Sequence, residues 1–227
     1  EITYGDWSSD VCSSDLIGGT FTDVVLQTPA KLYSGKVLTT PRAPEEGMLT
    51  AIAEGESRIR NYAPGADCAS TLGCMAAMGA RIERQQAPTG DGQTIEEIVV
   101  QGCGLRGLKA PAQTLDAGNS GSTIRMLSGI LAGQSFTCSI TGDESLQKRP
   151  MRRILDPLEK MGARTLQIRE GGRLPAVVQG AAEPLPIEYE APVPSAQLKS
   201  AVLLAGLAAP GTTTVIEKEA TRDHTEK

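Results

Sequence analysis

Ile130-Leu131-Ala132-Gly133-Gln134-Ser135-Phe136-Thr137-Cys138-Ser139-Ile140 joins the end of an apolar helical run to an alternating segment through one glycine. A glycine after the last helical residue, followed by a period-two pattern, reads as helix stop and then strand. The same order occurs on both sides of it. Ala53-Glu54-Gly55 precedes the β-like Ser57-Arg58-Ile59-Arg60, and Ala209-Pro210-Gly211 precedes Thr212-Thr213-Thr214-Val215-Ile216, so the glycines recur at an interval of 78 residues. The first two copies continue to a second helix that ends in Met-Gly-Ala-Arg, at Met78 to Arg81 and at Met161 to Arg164. Three copies of one αβ unit predict an α/β domain with threefold pseudo-symmetry. The pattern predicts strand 94–101, helix 119–132, strand 135–141, helix 150–161, strands 164–169 and 175–179, helix 195–209 and strand 212–218.

Composition narrows the function classes. A chain of 227 residues with 40% hydrophobic content can bury one sizeable core or two small ones, and aromatics of only 3% require that core to be aliphatic. Few aromatics and a net charge of −5 argue against a nucleic-acid partner. Cys12, Cys68, Cys74, Cys103 and Cys138 form no C-x-x-C pair, and an odd count fits a reduced, cytoplasmic protein. His224 is the single histidine, so no His/Cys metal set is expected. No apolar run is long enough to span a bilayer, and residues 1–15 lack the layout of a signal peptide, so no membrane partner is expected.

Basic residues clustered in an acidic chain mark a local pocket. Asp116-Ala117-Gly118-Asn119-Ser120-Gly121-Ser122-Thr123-Ile124-Arg125 is a loop of small and hydroxyl residues that opens a helix, where free amides and the positive dipole end favour an anion. Gly142-Asp143-Glu144-Ser145-Leu146-Gln147-Lys148-Arg149-Pro150-Met151-Arg152-Arg153 is a second loop with a dense basic cluster. Together they suit a small phosphorylated or carboxylated ligand; Asn119 or Ser120 also reads as a plain helix N-cap.

From about Leu49 to Lys227 these stretches, with Ser195-Ala196-Gln197 and Thr221-Arg222-Asp223-His224-Thr225-Glu226, resemble the 5-enolpyruvylshikimate 3-phosphate synthase family. The resemblance implies two inside-out α/β barrel domains, each of three βαβαββ units with helices inside and sheets outside; most of the first is present. It implies transfer of the carboxyvinyl group of phosphoenolpyruvate to the 5-hydroxyl of shikimate 3-phosphate, a step of aromatic amino-acid biosynthesis, by a cytoplasmic monomer without cofactor. Gly121, Arg149 and Gln197 match the phosphoenolpyruvate positions of the family. Ser195, Ala196, Gln197 and Arg222 match those for shikimate 3-phosphate. Asn119, Ser122 and Arg125 are supporting, with Arg125 bracing the loop from inside. Arg152 and Arg153 are expected to face solvent or acidic neighbours, Lys199 is open to either role, and His224 reads as a brace of its turn. The sister family acting on UDP-N-acetylglucosamine shares the architecture, but GDESLQKRPM and TRDHTEK fit the shikimate enzyme better.

The N-terminal part departs from that family. Where the family carries a Lys-Ser…Arg loop that grips both substrates, this chain has Pro41-Arg42-Ala43-Pro44-Glu45-Glu46. Acid and base groups come from that loop and from the second domain, so no catalytic residue is assigned and the chain alone is expected to be inactive. Leu16-Ile17, a Gly18-Gly19-Thr20 turn and Asp23-Val24-Val25-Leu26 read as a hairpin, with a further strand pair through Lys36 to Thr40. IGGTFTDVVL with GKVLTTP and PEEGML resembles the start of the hydantoinase A and 5-oxoprolinase family, whose ATPase fold begins with such a phosphate loop. Residues 1–15, EITYGDWSSDVCSSD, resemble a translated sequencing adapter or form a disordered tail. The domain reading is a tail at 1–15, a hydantoinase-like hairpin at 16–48 and the partial first domain at 49–227, with an ATP-using relative or a non-catalytic binding module as the alternatives.

Overall fold

The structure is a computed structural model that describes residues 20–27, 32–39, 48–49, 51–60, 62, 65–88 and 93–221. The strands are β1 (Thr20–Gln27), β2 (Leu32–Thr39), β3 (Glu54–Arg60), β4 (Arg81–Pro88), β5 (Thr94–Cys103), β6 (Leu115–Asp116), β7 (Thr137–Thr141), β8 (Arg164–Arg169), β9 (Arg173–Gln179), β10 (Glu188–Glu190) and β11 (Thr214–Ile216). The helices are α1 (Ala66–Ala77), α2 (Gly121–Ala132), α3 (Glu144–Gln147), α4 (Arg152–Lys160) and α5 (Ala196–Gly206).

Three sheets follow the repeat. The first has the order β2-β1-β3-β5-β4, the second β6-β7-β9-β8, and the third pairs β10 with β11. In the first unit β3 leads through α1 to the hairpin β4/β5, and β5 returns to pair with β3 antiparallel. In the second, β7 leads through α3 and α4 to the hairpin β8/β9, and β9 returns to pair with β7 antiparallel. Each unit thus orders its last three strands first, third, second. Ahead of them, β6 runs parallel to β7 across α2, and β10 runs parallel to β11 across α5. At the equivalent edge of the first unit, β3 is met by β1, which runs antiparallel with Val24 opposite Ile59 and Gln27 opposite Glu56.

The second helices of the two units end alike. Gly79 (φ 100°) and Gly162 (φ 102°) occupy the left-handed conformation that a side chain disfavours. At the first, Gly79 N donates to Ala76 O and Ala80 N to Met75 O; at the second, Gly162 N donates to Glu159 O and Ala163 N to Leu158 O. These are the two bonds of a Schellman end. The carbonyls of Met78 and Met161 are then taken by Lys109 N and Leu185 N, both at 2.8 Å.

The core lies between sheets and helices. All of α2 except Ser122 and Arg125 is buried, as expected of a helix apolar all round. It crosses α5 so closely that a Cβ on Gly129 would stand 2.2 Å from Ala201 O. In contrast, α4 is amphipathic: it buries Ile154, Leu155, Pro157 and Leu158 and exposes Arg152, Arg153, Asp156, Glu159 and Lys160.

Three local expectations fare differently. Thr20 opens β1, whose antiparallel partner is β2 (Leu32–Thr39); Leu16, Ile17, Gly18 and Gly19, with the rest of residues 1–19, lie outside the described residues. Gly55 is the second residue of β3, opposite Gly102, and not a helix stop, because the strand starts earlier than its β-like residues indicate. Gly133 follows the last residue of α2 and is its C-cap, as read, with φ −88°.

Candidate functional site

The two loops singled out in the sequence meet. The Asp116 carboxylate accepts from Gly118 N at 2.8 Å, Ala117 N donates to Thr141 O at 3.0 Å, and Asp143 N donates to Gly118 O at 2.8 Å, which ties the first loop to the end of β7. Gly142 is needed at this contact: a Cβ there would stand 2.4 Å from Leu146 Cδ2 and 2.6 Å from Gly118 O. Ser120 is the N-cap of α2, accepting from Thr123 N at 3.1 Å. A buried hydroxyl chain supports it, since Thr123 Oγ1 donates to Ser120 Oγ at 2.7 Å and lies 2.7 Å from Thr71 Oγ1 of α1.

Arg149 and Arg125 converge on the glycine that opens α2. An added Cβ on Gly121 would lie 2.9 Å from Arg149 Nη1 and 3.2 Å from Arg125 Nη1. Arg149 Nη2 donates to Asn119 Oδ1 at 3.4 Å, and Asn119 Nδ2 donates to Asp143 Oδ2 at 2.6 Å. Asp143 Oδ1 accepts from Leu146 N at 2.8 Å as the N-cap of α3; the Asn119 hydrogen bond, then that of Leu146, holds its carboxyl below the usual carboxylate range. Arg125 Nη1 donates to Gln197 Oε1, and Gln197 Nε2 donates to Ser122 Oγ at 2.7 Å, so α5 is tied to the first turn of α2. Burial, and then Arg153 and Arg149, lower the pKa of Arg125, while its Nε is buried without a partner. Among the described residues, none of Arg125, Arg149 and Arg153 forms an ion pair with a carboxylate.

Other predicted residues fall as follows. Ser195 caps α5, accepting from Leu198 N at 3.4 Å, and Ala196 is the first residue of that helix. Lys199, left open by the sequence, is buried and donates to Glu217 Oε2 at 2.7 Å. Arg152 faces acids, with Asp156 at 3.6 Å and Glu159 at 3.5 Å. Arg153 is exposed to solvent, as expected, and its charge also helps to lower the pKa of Arg125. Arg222 and His224, like Pro41 to Glu46, lie outside the described residues. Sequence reading missed the positions of Asp143, hidden inside the quoted loop, and Thr71, which is far from the site in sequence and carries no motif.

A cleft of about 500 Å³ lies elsewhere, lined by Glu144, Gln147, Lys148, Arg169, Glu170 and Arg173. It contains none of the predicted site residues, and part of its charge is internally satisfied: Lys148 meets Glu144 at 2.8 Å and Arg169 donates to Gln147 at 2.9 Å. The guanidiniums of Arg149 and Arg125 at Gly121, by contrast, have no carboxylate in ion-pair contact among the described residues. Among the described residues no cluster suits a metal ion and no helix is long and apolar enough to cross a membrane.

Sheets of mixed sense packed on buried helices, with two guanidinium groups gathered at a glycine-opened helix start, define an α/β protein with a cationic cluster at that helix start. Comparison with known proteins narrows the class. Residues 44–227 match the sequence model of EPSP synthase (3-phosphoshikimate 1-carboxyvinyltransferase), and the chain belongs to that family. It is similar to the 3-phosphoshikimate 1-carboxyvinyltransferase of Rhodopseudomonas palustris (strain BisB5), 55% identical over 79% of this chain and 38% of the relative. That of Solibacter usitatus (strain Ellin6076) is 58% identical over 79% of this chain and 39% of the relative. The solved EPSP synthase of Acinetobacter baumannii superposes with a TM-score of 0.73 at 40% identity, covering 91% of this chain and 45% of that one. The chain therefore spans well under half the length of the relatives it matches.

Proposed function

We propose that this chain forms the first-domain wall of an EPSP synthase site, where the carboxyvinyl group of phosphoenolpyruvate passes to the 5-hydroxyl of shikimate 3-phosphate with release of phosphate. The observation that carries this reading is the pair of guanidiniums, Arg149 and Arg125, that meet at Gly121 without an ion-paired carboxylate among the described residues. Two ligands that bring phosphates and carboxylates together supply the missing negative charge. Arg149, with its planar fork, and Gly121, which leaves room beside it, take phosphoenolpyruvate. Ser195, Ala196 and Arg222 take the shikimate phosphate, with the start of α5 supplying amide donors, and Gln197 spans both ligands. Asn119, Ser122 and Arg125 support them. Proton transfers on the ketal-forming and ketal-breaking steps fall to residues outside this chain, so the chain alone binds and orients without turnover.

The architecture belongs to the same proposal. Two units with one strand order and one helix ending support a threefold repeat of βαβαββ units in an inside-out barrel domain. The family match starts at residue 44 and so leaves out the tail at 1–15 and all but the last five residues of the hydantoinase-like segment 16–48, which is in keeping with a different origin for the residues before 44. The intact protein is read as a cytoplasmic monomer without cofactor.

The test is a titration of isotope-labelled chain followed by backbone amide signals. Shikimate 3-phosphate is expected to move Ser195, Ala196 and Gln197, and added phosphoenolpyruvate to move Gly121. Signals that respond to ATP and not to these ligands would instead favour the hydantoinase-like alternative, and silence toward all three would overturn the binding role.

A further inference from the structure

Asp143 touches no ligand position named above, yet three bonds fix it between the two loops. Its N–H donates to Gly118 O at 2.8 Å, Oδ1 accepts from Leu146 N at 2.8 Å, and Oδ2 accepts from Asn119 Nδ2 at 2.6 Å. An ionised carboxylate can only accept, and a guanidinium can only donate. Of the side-chain amide of Asn119, the NH₂ must therefore face Asp143 and the carbonyl must face Arg149. The observed bonds, Asn119 Nδ2 to Asp143 and Arg149 Nη2 to Asn119 Oδ1 at 3.4 Å, have that polarity. On its other side Arg149 lies over Gly121.

We propose that Asp143 is a positioning residue, which sets the Arg149 guanidinium in the anion cluster by fixing the orientation of the Asn119 amide between them. The inference deepens the proposed function, since its consequence for a ligand rests on Arg149 as the phosphoenolpyruvate arginine. The relay itself is testable without a ligand.

The deciding variant is Asp143→Asn in the full chain. Its remaining carbonyl still caps α3, but its NH₂ now opposes the NH₂ of Asn119. The Asn119 amide turns over and presents a donor to a donor, which releases Arg149. The expected result is faster solvent exchange of the Arg149 guanidinium protons and shifted Asn119 side-chain signals, with an unfolding midpoint near that of the parent chain. The response of Gly121 to phosphoenolpyruvate weakens roughly fivefold, the effect of losing one hydrogen bond of ordinary net strength. Exchanging the two groups, in the Asn119→Asp/Asp143→Asn double variant, restores an acceptor opposite Arg149 and slows its exchange again. If Asp143→Asn does not fold, Asn119→Ala keeps the α3 cap and makes the same prediction for Arg149. Unchanged Arg149 exchange in either folded single variant overturns the relay, as does a folded double variant that fails to restore it. Should the parent chain ignore phosphoenolpyruvate while Asp143→Asn still loosens Arg149, the relay stands and the ligand reading falls.

Discussion

The connection from β3 to α1 and the connection from β7 to α4 leave equivalent strands and reach equivalent helices, but they have little else in common. The first is Asn61-Tyr62-Ala63-Pro64-Gly65; the second runs from Gly142 to Met151 and holds α3, Lys148 and Arg149. Around them the scaffold is duplicated down to the bonds that close each helix, at Gly79–Ala80 and Gly162–Ala163. The difference separates what packing fixes from what it leaves free. Helix ends and strand order must recur for each unit to bury its apolar face, whereas a connection is free to lengthen and acquire charge.

The sharpest way to break the comparison is to prevent the inner helices of neighbouring units from meeting. Gly129→Ala places a methyl 2.2 Å from Ala201 O, a backbone atom that cannot move aside without shifting α5. Overpacking of this kind is expected to cost about 3 kcal/mol, read as a lowered denaturant midpoint. A loss below about 1 kcal/mol would mean that α2 and α5 separate easily. The next effect tests the equivalence of the helix ends. Gly79→Ala and Gly162→Ala each force a side chain into the left-handed region, expected to cost about 1–2 kcal/mol. Gly162→Ala should be the worse, because its Cβ would meet Ala181 Cβ at 3.3 Å, while the nearest neighbour at Gly79 is the flexible Lys109 chain at 3.7 Å.

Much of this scaffold was legible because local chemistry and tertiary structure agree in it. Met-Gly-Ala-Arg closes both second helices as read, and β8 has the expected limits Arg164–Arg169. Gly55 misled because a helix-stop glycine and a strand glycine look alike when apolar residues flank both. The pairing of β1 with β3 was not legible, since nothing in residues 20–27 specifies which edge they join. Gly121, Arg149 and Gln197 could be proposed as site residues from motif positions, but their geometry depends on bonds across long sequence distances. Arg125 reaches Gln197 and Thr71 reaches Thr123 through packing that no local pattern encodes.

The first unit's sheet also carries a buried charge cluster that pH can probe. Glu97 of β5 is 1% exposed and meets Arg60 at 2.8 Å, Arg58 at 3.0 Å and Gln85 at 2.7 Å. Burial alone would raise its pKa, but hydrogen bonds from Arg60 and Gln85, with the charges and bonds of both arginines, together hold it below the ordinary glutamate value. A carboxyl whose folded pKa is depressed contributes stability above its unfolded pKa, and loses it as pH falls through the folded value. Glu97→Gln is therefore expected to cost about 1 kcal/mol at neutral pH, since both arginines are partly solvated, and the gap should close on acidification below the ordinary carboxylate range. A gap that stays constant down to acid denaturation would rule out the charge as its source.

The smallest effect separates two helix caps that share a role in the fold but not in the proposed chemistry. Ser120 is buried, accepts from Thr123 N at 3.1 Å and belongs to the hydroxyl chain with Thr123 and Thr71. Ser195 is only half-buried, and its bond to Leu198 N is long at 3.4 Å. A weak cap contributes little, so Ser195→Ala is expected to lower stability by about 0.5 kcal/mol, against about 1–2 kcal/mol for Ser120→Ala. The ligand response should run the other way. Ser195→Ala loses an oxygen proposed to touch the shikimate phosphate, and the shikimate 3-phosphate shifts at Ala196 and Gln197 should shrink well beyond what the small stability change accounts for. If those shifts survive in Ser195→Ala, the serine serves the helix alone and the phosphate is held by the α5 amides.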